Sequence, residues 1–192
     1  PVTQSFIYLE EGDIACIKKD NITIYDNHLN LANRAVKTTA MTATQVEKGE
    51  HRHFMIKEIH EQPSVVNDTL AAVLDNNRIK LKAFGNNAPD ILKDVKRIHI
   101  IACGTSLHAG HVAKHWITRH AKIPCTTEIA SEHRYRHHAI EAGTLFIALS
   151  QSGETADTLA ALNYAKEKDY LASLAICNVP TSSLARESDF VL

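Results

Sequence analysis

The sequence predicts an α/β protein whose main body, from about residue 90, is a doubly wound parallel sheet covered by helices. Four short apolar runs, at 97–102, 124–129, 144–149 and 171–177, read as strands. Segments with helical spacing lie between them, at 106–120, near 131–138 and at 155–168. Alternation of strand and helix is the pattern of parallel strands joined by crossover helices. Two of the strands also run straight into loops of hydroxyls and glycine that open a helix.

In the first of these helices Ala109, Val112, Ala113, Trp116 and Ile117 fall at i, i+3, i+4, i+7 and i+8, which predicts a buried face. Ala156, Leu159, Ala160 and Leu162 predict a similar stripe on the later one. Upstream, residues 1–45 are β-rich. Runs at 5–9, 13–17 and 21–25 read as strands, with Glu11-Gly12-Asp13 and Asp20-Asn21 as turns. Three strands are too few for a good core of their own, so this stretch reads as the end of a different domain. Residues 46–53 are polar, contain Gly49 and read as a linker. A helix is expected from about residue 52 to 61, restarting at Pro63 toward Leu74, and 75–89 reads as loop.

The loops carry the chemistry. Ser150-Gln151-Ser152-Gly153-Glu154-Thr155 follows one apolar run, and Cys103-Gly104-Thr105-Ser106 follows another. The first N–H groups of a helix lack partners within it, and its dipole makes that end electropositive, so an anion is favoured there. Gly104 and Gly153 allow close backbone approach, while Ser106, Ser150, Ser152 and Thr155 offer hydroxyl donors. Either loop alone is equally the mark of a plain helix cap. As a pair, at strand ends on one edge of a parallel sheet, they point to a phosphorylated small molecule. The lysine of a nucleotide P-loop is absent, which argues against ATP.

The 192 residues carry a formal net charge of −1 at a pI near 7.0, which gives no reason to invoke nucleic acid or an anionic membrane. No apolar run is long enough to span a bilayer, and no signal-peptide pattern opens the chain. Cys16, Cys103, Cys125 and Cys177 show no C-x-x-C spacing and fit a reducing compartment, so a cytoplasmic protein is expected. The chain opens on Pro1 and stops at Asp189-Phe190-Val191-Leu192, which reads as a strand just starting, so it reads as a portion of a longer protein.

Twelve histidines are many for this length. His108, His111 and His115 share one helix face, and the last two are close enough to chelate a metal, yet no carboxylate at suitable spacing completes a site. His51, His53 and the His137-His138 pair are weaker still. No metal site is therefore expected. Arg134-Tyr135-Arg136 suits a phosphate or partner contact, or a plain basic turn. Glu154 suits a catalytic base or a carboxylate favoured by the helix dipole. In 178–183, Thr181 or Ser182 is expected to cap a short helix.

Taken with Ala175-Ile176-Cys177-Asn178-Val179-Pro180, the two loops resemble the first sugar isomerase (SIS) domain of the glutamine–fructose-6-phosphate aminotransferase (isomerising) family. Phe6-Ile7-Tyr8-Leu9-Glu10-Glu11-Gly12-Asp13 is similar to the tail of that family's glutaminase domain, and Met55 to Pro63 to the opening of its isomerase half. The pieces stand in the family's order along nearly the whole chain. The resemblance implies a flavodoxin-like SIS fold over 54–192, preceded by the end of an Ntn-type glutaminase domain over 1–45.

It also implies the chemistry of the parent: nitrogen from glutamine is transferred to fructose 6-phosphate, and the product is isomerised to glucosamine 6-phosphate, the entry to hexosamine synthesis. The family's phosphate-binding positions correspond to Ser106, Ser150, Gln151, Ser152 and Thr155, with Thr105 close to the sugar. Its cysteine nucleophile, Schiff-base lysine and acid–base glutamate and histidine have no counterpart in this chain, which alone is expected to be inactive. No metal or organic cofactor is implied, and a homodimer or higher homo-oligomer is. Two rivals stay open: a sugar-phosphate sensor controlling a partner, and a simple phosphosugar isomerase. The first calls for a basic helix-turn-helix where this chain has a β-rich stretch, and the second calls for no Phe6–Asp13 segment.

Overall fold

The computed structural model describes residues 3–38 and 48–192, which group into two compact units, Pro1–Val65 and Val66–Leu192. Expectations for residues 39–47, including the start of the linker, lie outside the described residues. In the first unit β1 (Ser5–Ile7) pairs antiparallel with β5 (Val36–Thr38). An antiparallel meander joins β2 (Ile14–Lys18), β3 (Asn21–Tyr25) and β4 (Leu31–Ala32). β4 and β5 went unread because two or three residues show no periodicity. The return from β3 to β4 is closed by Asp26, whose carboxylate accepts from the N–H groups of His28 and Asn30 at 2.8 and 2.9 Å.

Helix α1 (Phe54–Val73) corrects the expected break at Pro63: it runs straight through that residue. None of its residues is buried, so water is at hand for the carbonyl that proline leaves without a donor. The expected loop at 75–89 is also partly structured. β6 (Leu74–Asp75) and β7 (Arg78–Ile79) form a tight hairpin. Asn76 and Asn77 both hold positive φ, as a type I′ turn requires. A 3₁₀ turn (Leu81–Phe84) and α2 (Ala88–Leu92) follow.

The second unit is built on a five-stranded parallel sheet of β8 (Arg97–Ala102), β9 (Cys125–Ile129), β10 (Thr144–Ser150), β11 (Ala172–Cys177) and β12 (Phe190–Val191), in the order β12-β11-β10-β8-β9. From β8 the chain steps one way to β9, then returns past β8 to β10 and continues outward. This is the doubly wound, flavodoxin-like order. Successive strand residues point to opposite faces, so one face collects Ile98, Ile100, Leu145 and Ile147, and the other Ile101, Phe146 and Ala148. Helix α3 (Gly104–Trp116) covers the first face with Ala113, and Ile117 follows in the π turn Ile117–Ala121 that ends the helix. Helix α5 (Ala156–Lys166) covers the second with Ala161, Leu162 and Ala165.

Both predicted helix faces need correction. On α3 the side against the sheet is lined by Gly110 and Ala113, while Val112 and Trp116 are 49% and 61% exposed. Gly110 sits so close to the sheet that a Cβ there would lie 3.1 Å from Ile100 Cγ2. A glycine contact line carries no hydropathy signal, so the apolar pattern pointed about a quarter-turn away. On α5 the buried line is Thr158, Ala161, Leu162 and Ala165, and Ala156 is exposed. The helix expected near 131–138 is one turn only, α4 (Ala130–His133). No described helix is long and apolar enough to cross a membrane.

Candidate functional site

Strands β8 and β10 are neighbours, with Ala102 opposite Leu149, so the residues leaving their C-terminal ends start side by side. The chain leaves β8 for α3 on one face and β10 for α5 on the other. The ends of these two strands therefore flank the point where the winding reverses, and a crevice opens there in sheets of this kind. A sulfur-centred contact ties the two sides, Thr158 Oγ1 of α5 to Cys103 Sγ at 4.0 Å.

The loop at 150–155 is braced from within. Ser150, the last residue of β10 and not the first of the loop, is buried, and its Oγ accepts from Gly153 N–H at 3.0 Å. Thr155 Oγ1 lies 3.5 Å from the same oxygen. Ser152 Oγ accepts from Glu154 N–H at 3.2 Å. A hydroxyl that accepts from the backbone still has its own hydrogen to give, so these contacts aim donors and do not consume them. Gln151 and Ser152 are exposed and Thr155 half-buried.

A second layer holds this loop from below. Gly153 has φ +68, and a Cβ on it would fall 2.1 Å from Ser182 Oγ and 2.7 Å from Cys177 Sγ. Ser182 caps α6 (Ser183–Glu187) by accepting from Ala185 N–H at 3.3 Å, which selects it over Thr181 as the cap. Glu154 is not free to act as a base. Its Oε1 accepts from Ser183 N–H at 2.7 Å, so the carboxylate clamps the loop to the start of α6. This clamp joins residues 29 apart and left no local signal in the sequence.

On the β8 side the expected loop is already helix. Gly104, with φ +54, is the first residue of α3, and Thr105 and Ser106 stand in its first turn. The first helical bond runs from Leu107 N–H to Cys103 O, so the N–H groups of Gly104, Thr105 and Ser106 precede the ladder. On α5 the first bond is Leu159 N–H to Thr155 O, which leaves those of Ala156, Asp157 and Thr158 in the same condition. Two helix N-termini and the hydroxyls of Ser106, Ser150, Ser152 and Thr155 thus share one sheet edge. Chemically, dipoles and neutral donors arranged in this way can hold an anion.

Other expected residues lie elsewhere. Arg134 pairs with Asp157 at 2.9 Å, and Arg136 with Glu128 and Glu132 at 3.2 Å each, so the basic turn is engaged in ion pairs. His108, His111 and His115 are exposed, and His111 Nδ1 lies 2.8 Å from Thr127 Oγ1. A different group comes together on β8, β9 and α4: His99, Glu128 and His133, each offering one ligand atom within 4.8 Å of the others. His99 stands 29 residues before Glu128, and that separation hid the group.

The family profile of the SIS domain matches residues 91–192, the stretch that holds the whole parallel sheet and both loops. The chain belongs to the SIS domain family. Over 191 residues this SIS chain is 53% identical to the glutamine–fructose-6-phosphate aminotransferase (isomerizing) of Pseudomonas putida, covering 100% of the chain and 31% of the relative. It is 48% identical over 189 residues to the enzyme of that name from Francisella tularensis, again 31% of the relative. The chain thus spans about a third of the length of these curated relatives. Among solved structures, the C-terminal domain of glucosamine-fructose-6-phosphate aminotransferase from Francisella tularensis is similar with a TM-score of 0.73 and 50% identity, covering 76% of this chain and 41% of that one. A chain from Silicibacter pomeroyi, at 23% identity and a TM-score of 0.57, covering 70% of this chain and 39% of its own length, shares the SIS fold.

Proposed function

We propose that this chain is the sugar-phosphate-binding portion of an enzyme that makes glucosamine 6-phosphate and glutamate from fructose 6-phosphate and glutamine. The observation that carries the reading is the meeting of two hydroxyl-bearing helix N-termini at the ends of β8 and β10, where the sheet reverses its winding. The 53% identity to an aminotransferase along the whole chain supports the choice of substrate.

In this reading the phosphate of fructose 6-phosphate sits between Ser106 and the 150–155 loop, held by Ser150, Gln151, Ser152 and Thr155, with Thr105 toward the sugar. Gly104 and Gly153 shape the two turns. Neutral donors and helix ends hold a dianion firmly without a mobile lysine, and the anchored phosphate leaves the reacting carbons to groups outside this segment. The glutaminase nucleophile and the lysine, glutamate and histidine of the isomerase step belong to those outside segments, so this chain alone turns nothing over. Residues 1–45 are the end of the glutaminase domain, 46–53 the linker and 54–192 the first SIS domain. The enzyme is a cytoplasmic homo-oligomer acting without nucleic acid or membrane.

The test is made on the longer protein that carries this segment. Incubated with glutamine and fructose 6-phosphate, it is expected to yield glucosamine 6-phosphate by mass spectrometry. Each lost hydrogen bond to a charged group costs about 1.5–3 kcal/mol, so a Ser150→Ala, Ser152→Ala double variant weakens substrate binding on the order of 100-fold or more. Binding of fructose 6-phosphate with no aminated product would overturn the transferase reading in favour of a sensor or simple isomerase.

A further inference from the structure

We propose that His99, Glu128 and His133 form a binding site for a divalent transition ion of the zinc class. The three ligands come from mid-β8, the neighbouring edge strand β9 and the single turn α4, and His138 stands beside them in the loop that follows. All three imidazoles face one carboxylate oxygen. Glu128 Oε2 lies 3.0 Å from His133 Nδ1, 3.4 Å from His138 Nε2 and 3.5 Å from His99 Nε2. A tetrahedral ion with bonds of about 2.0–2.2 Å sets its ligand atoms about 3.3 Å apart. The ligand atoms of His99, Glu128 and His133 lie within 4.8 Å of one another, close enough to converge on one ion.

Hydrogen bonding accounts poorly for the same arrangement. His133 is fully buried and its Nε2 has no partner, so its ring is held through Nδ1 alone. A metal bond at Nδ1 is a stronger hold on that ring than its one hydrogen bond, and Nε2 stays without a partner in either case.

The outer contacts have the form that metal ligands need. His99 Nδ1 lies 2.8 Å from the Tyr170 hydroxyl, which fixes the ring so that Nε2 faces Glu128. Arg136 Nη1 holds the other carboxylate oxygen, Oε1, at 3.2 Å and leaves Oε2 for the ion. His138 Nε2 lies 3.2 Å from the His133 carbonyl and 3.4 Å from Glu128 Oε2, beside the three donors. An open cavity of about 460 Å³, lined in part by His99, Glu128 and His138, provides a way in. Two imidazole nitrogens and one carboxylate oxygen suit zinc, cobalt or nickel, and not magnesium or calcium. Three protein donors leave the fourth tetrahedral position to a water.

Co(II) alone, titrated into the metal-free chain, is the direct probe. A visible tetrahedral Co(II) band saturating at one equivalent, and bleached by Zn(II), is expected. It should be lost in Glu128→Gln and in His99→Gln, and kept in His111→Gln and His115→Gln, which remove the exposed helix pair. No band in the wild-type chain, or a band lost with the helix histidines, overturns the proposal. The anomalous difference map of Zn-loaded wild-type crystals decides the matter even where a variant fails to fold. A peak between His99, Glu128 and His133 supports the site, and a peak confined to other positions overturns it.

Discussion

Gly153 and Ser182 are packed so closely that a single added carbon has no room between them: a Cβ on Gly153 would lie 2.1 Å from Ser182 Oγ and 2.4 Å from Ser182 Cβ. The loop proposed to seat the phosphate is therefore registered against the cap of α6, an element outside the seat itself.

Replacing Gly153 with alanine is expected to combine backbone strain at φ +68 with overpacking, for a loss of about 2–5 kcal/mol. Urea unfolding measures it. A Gly153→Ala, Ser182→Gly double variant should recover part of the loss, because it removes the clash and leaves only the strain.

Glu154 separates a clamp from a catalytic base. Its carboxylate accepts from Ser183 N–H at 2.7 Å, a role that an amide oxygen also fills. Glu154→Ala should lower stability by about 1–3 kcal/mol, while Glu154→Gln should lose less than about 1 kcal/mol. In the longer protein Glu154→Gln should also retain product formation, whereas a base would lose it.

The face of α3 that touches the sheet is set by glycine, and polar replacement tells the two faces apart. Val112→Glu and Trp116→Gln, on exposed positions, should shift stability by no more than about 0.5 kcal/mol. Gly110→Val should cost about 1–3 kcal/mol or more, since even its first carbon would press on Ile100 at 3.1 Å. Thermal and urea unfolding of the three variants check the ranking.

In the first unit the Arg34 guanidinium grips Asp13 with two bonds of 2.8 Å and, with the Glu10 backbone, lowers its carboxyl pKa to about 2. A carboxyl whose folded pKa lies below its unfolded value binds its proton more readily when unfolded. Its contribution is thus complete above about pH 4 and is lost as pH falls toward 2. Wild type should lose stability across that window faster than Asp13→Asn, as followed by acid unfolding monitored by circular dichroism. Equal slopes would deny the pair its role.

Much of the α/β body was legible. Runs such as Arg97–Ala102 and Thr144–Ser150 are apolar on both sides because they are buried on both faces, and that signal is local. Thr105, Ser106, Ser150 and Ser152 could be singled out because strand, hydroxyl loop and helix are consecutive in sequence. On α3 and α5 the expected faces held at Ala113, Ile117, Leu159 and Leu162 but missed Gly110, Thr158 and Ala161, small or polar groups that lie against the sheet and carry little hydropathy signal. Pro63 suits the first turn of a new helix, and α1 carries it in its interior because the helix is exposed and water can serve the freed carbonyl.

By itself the sequence determined the alternation of strands and helices, the presence of two hydroxyl loops and the absence of a P-loop lysine, since each is a property of neighbouring residues. Only the tertiary structure decided that β10 lies beside β8 and not beside β9, and so that the two loops share one edge. It alone bound Glu154 to Ser183 and drew His99, Glu128, His133 and His138 around a single oxygen. Those relations bring together residues as distant as Glu154 and Ser183 or His99 and Glu128, and they are set by which surfaces the folded sheet and helices bury against each other, which no local pattern encodes.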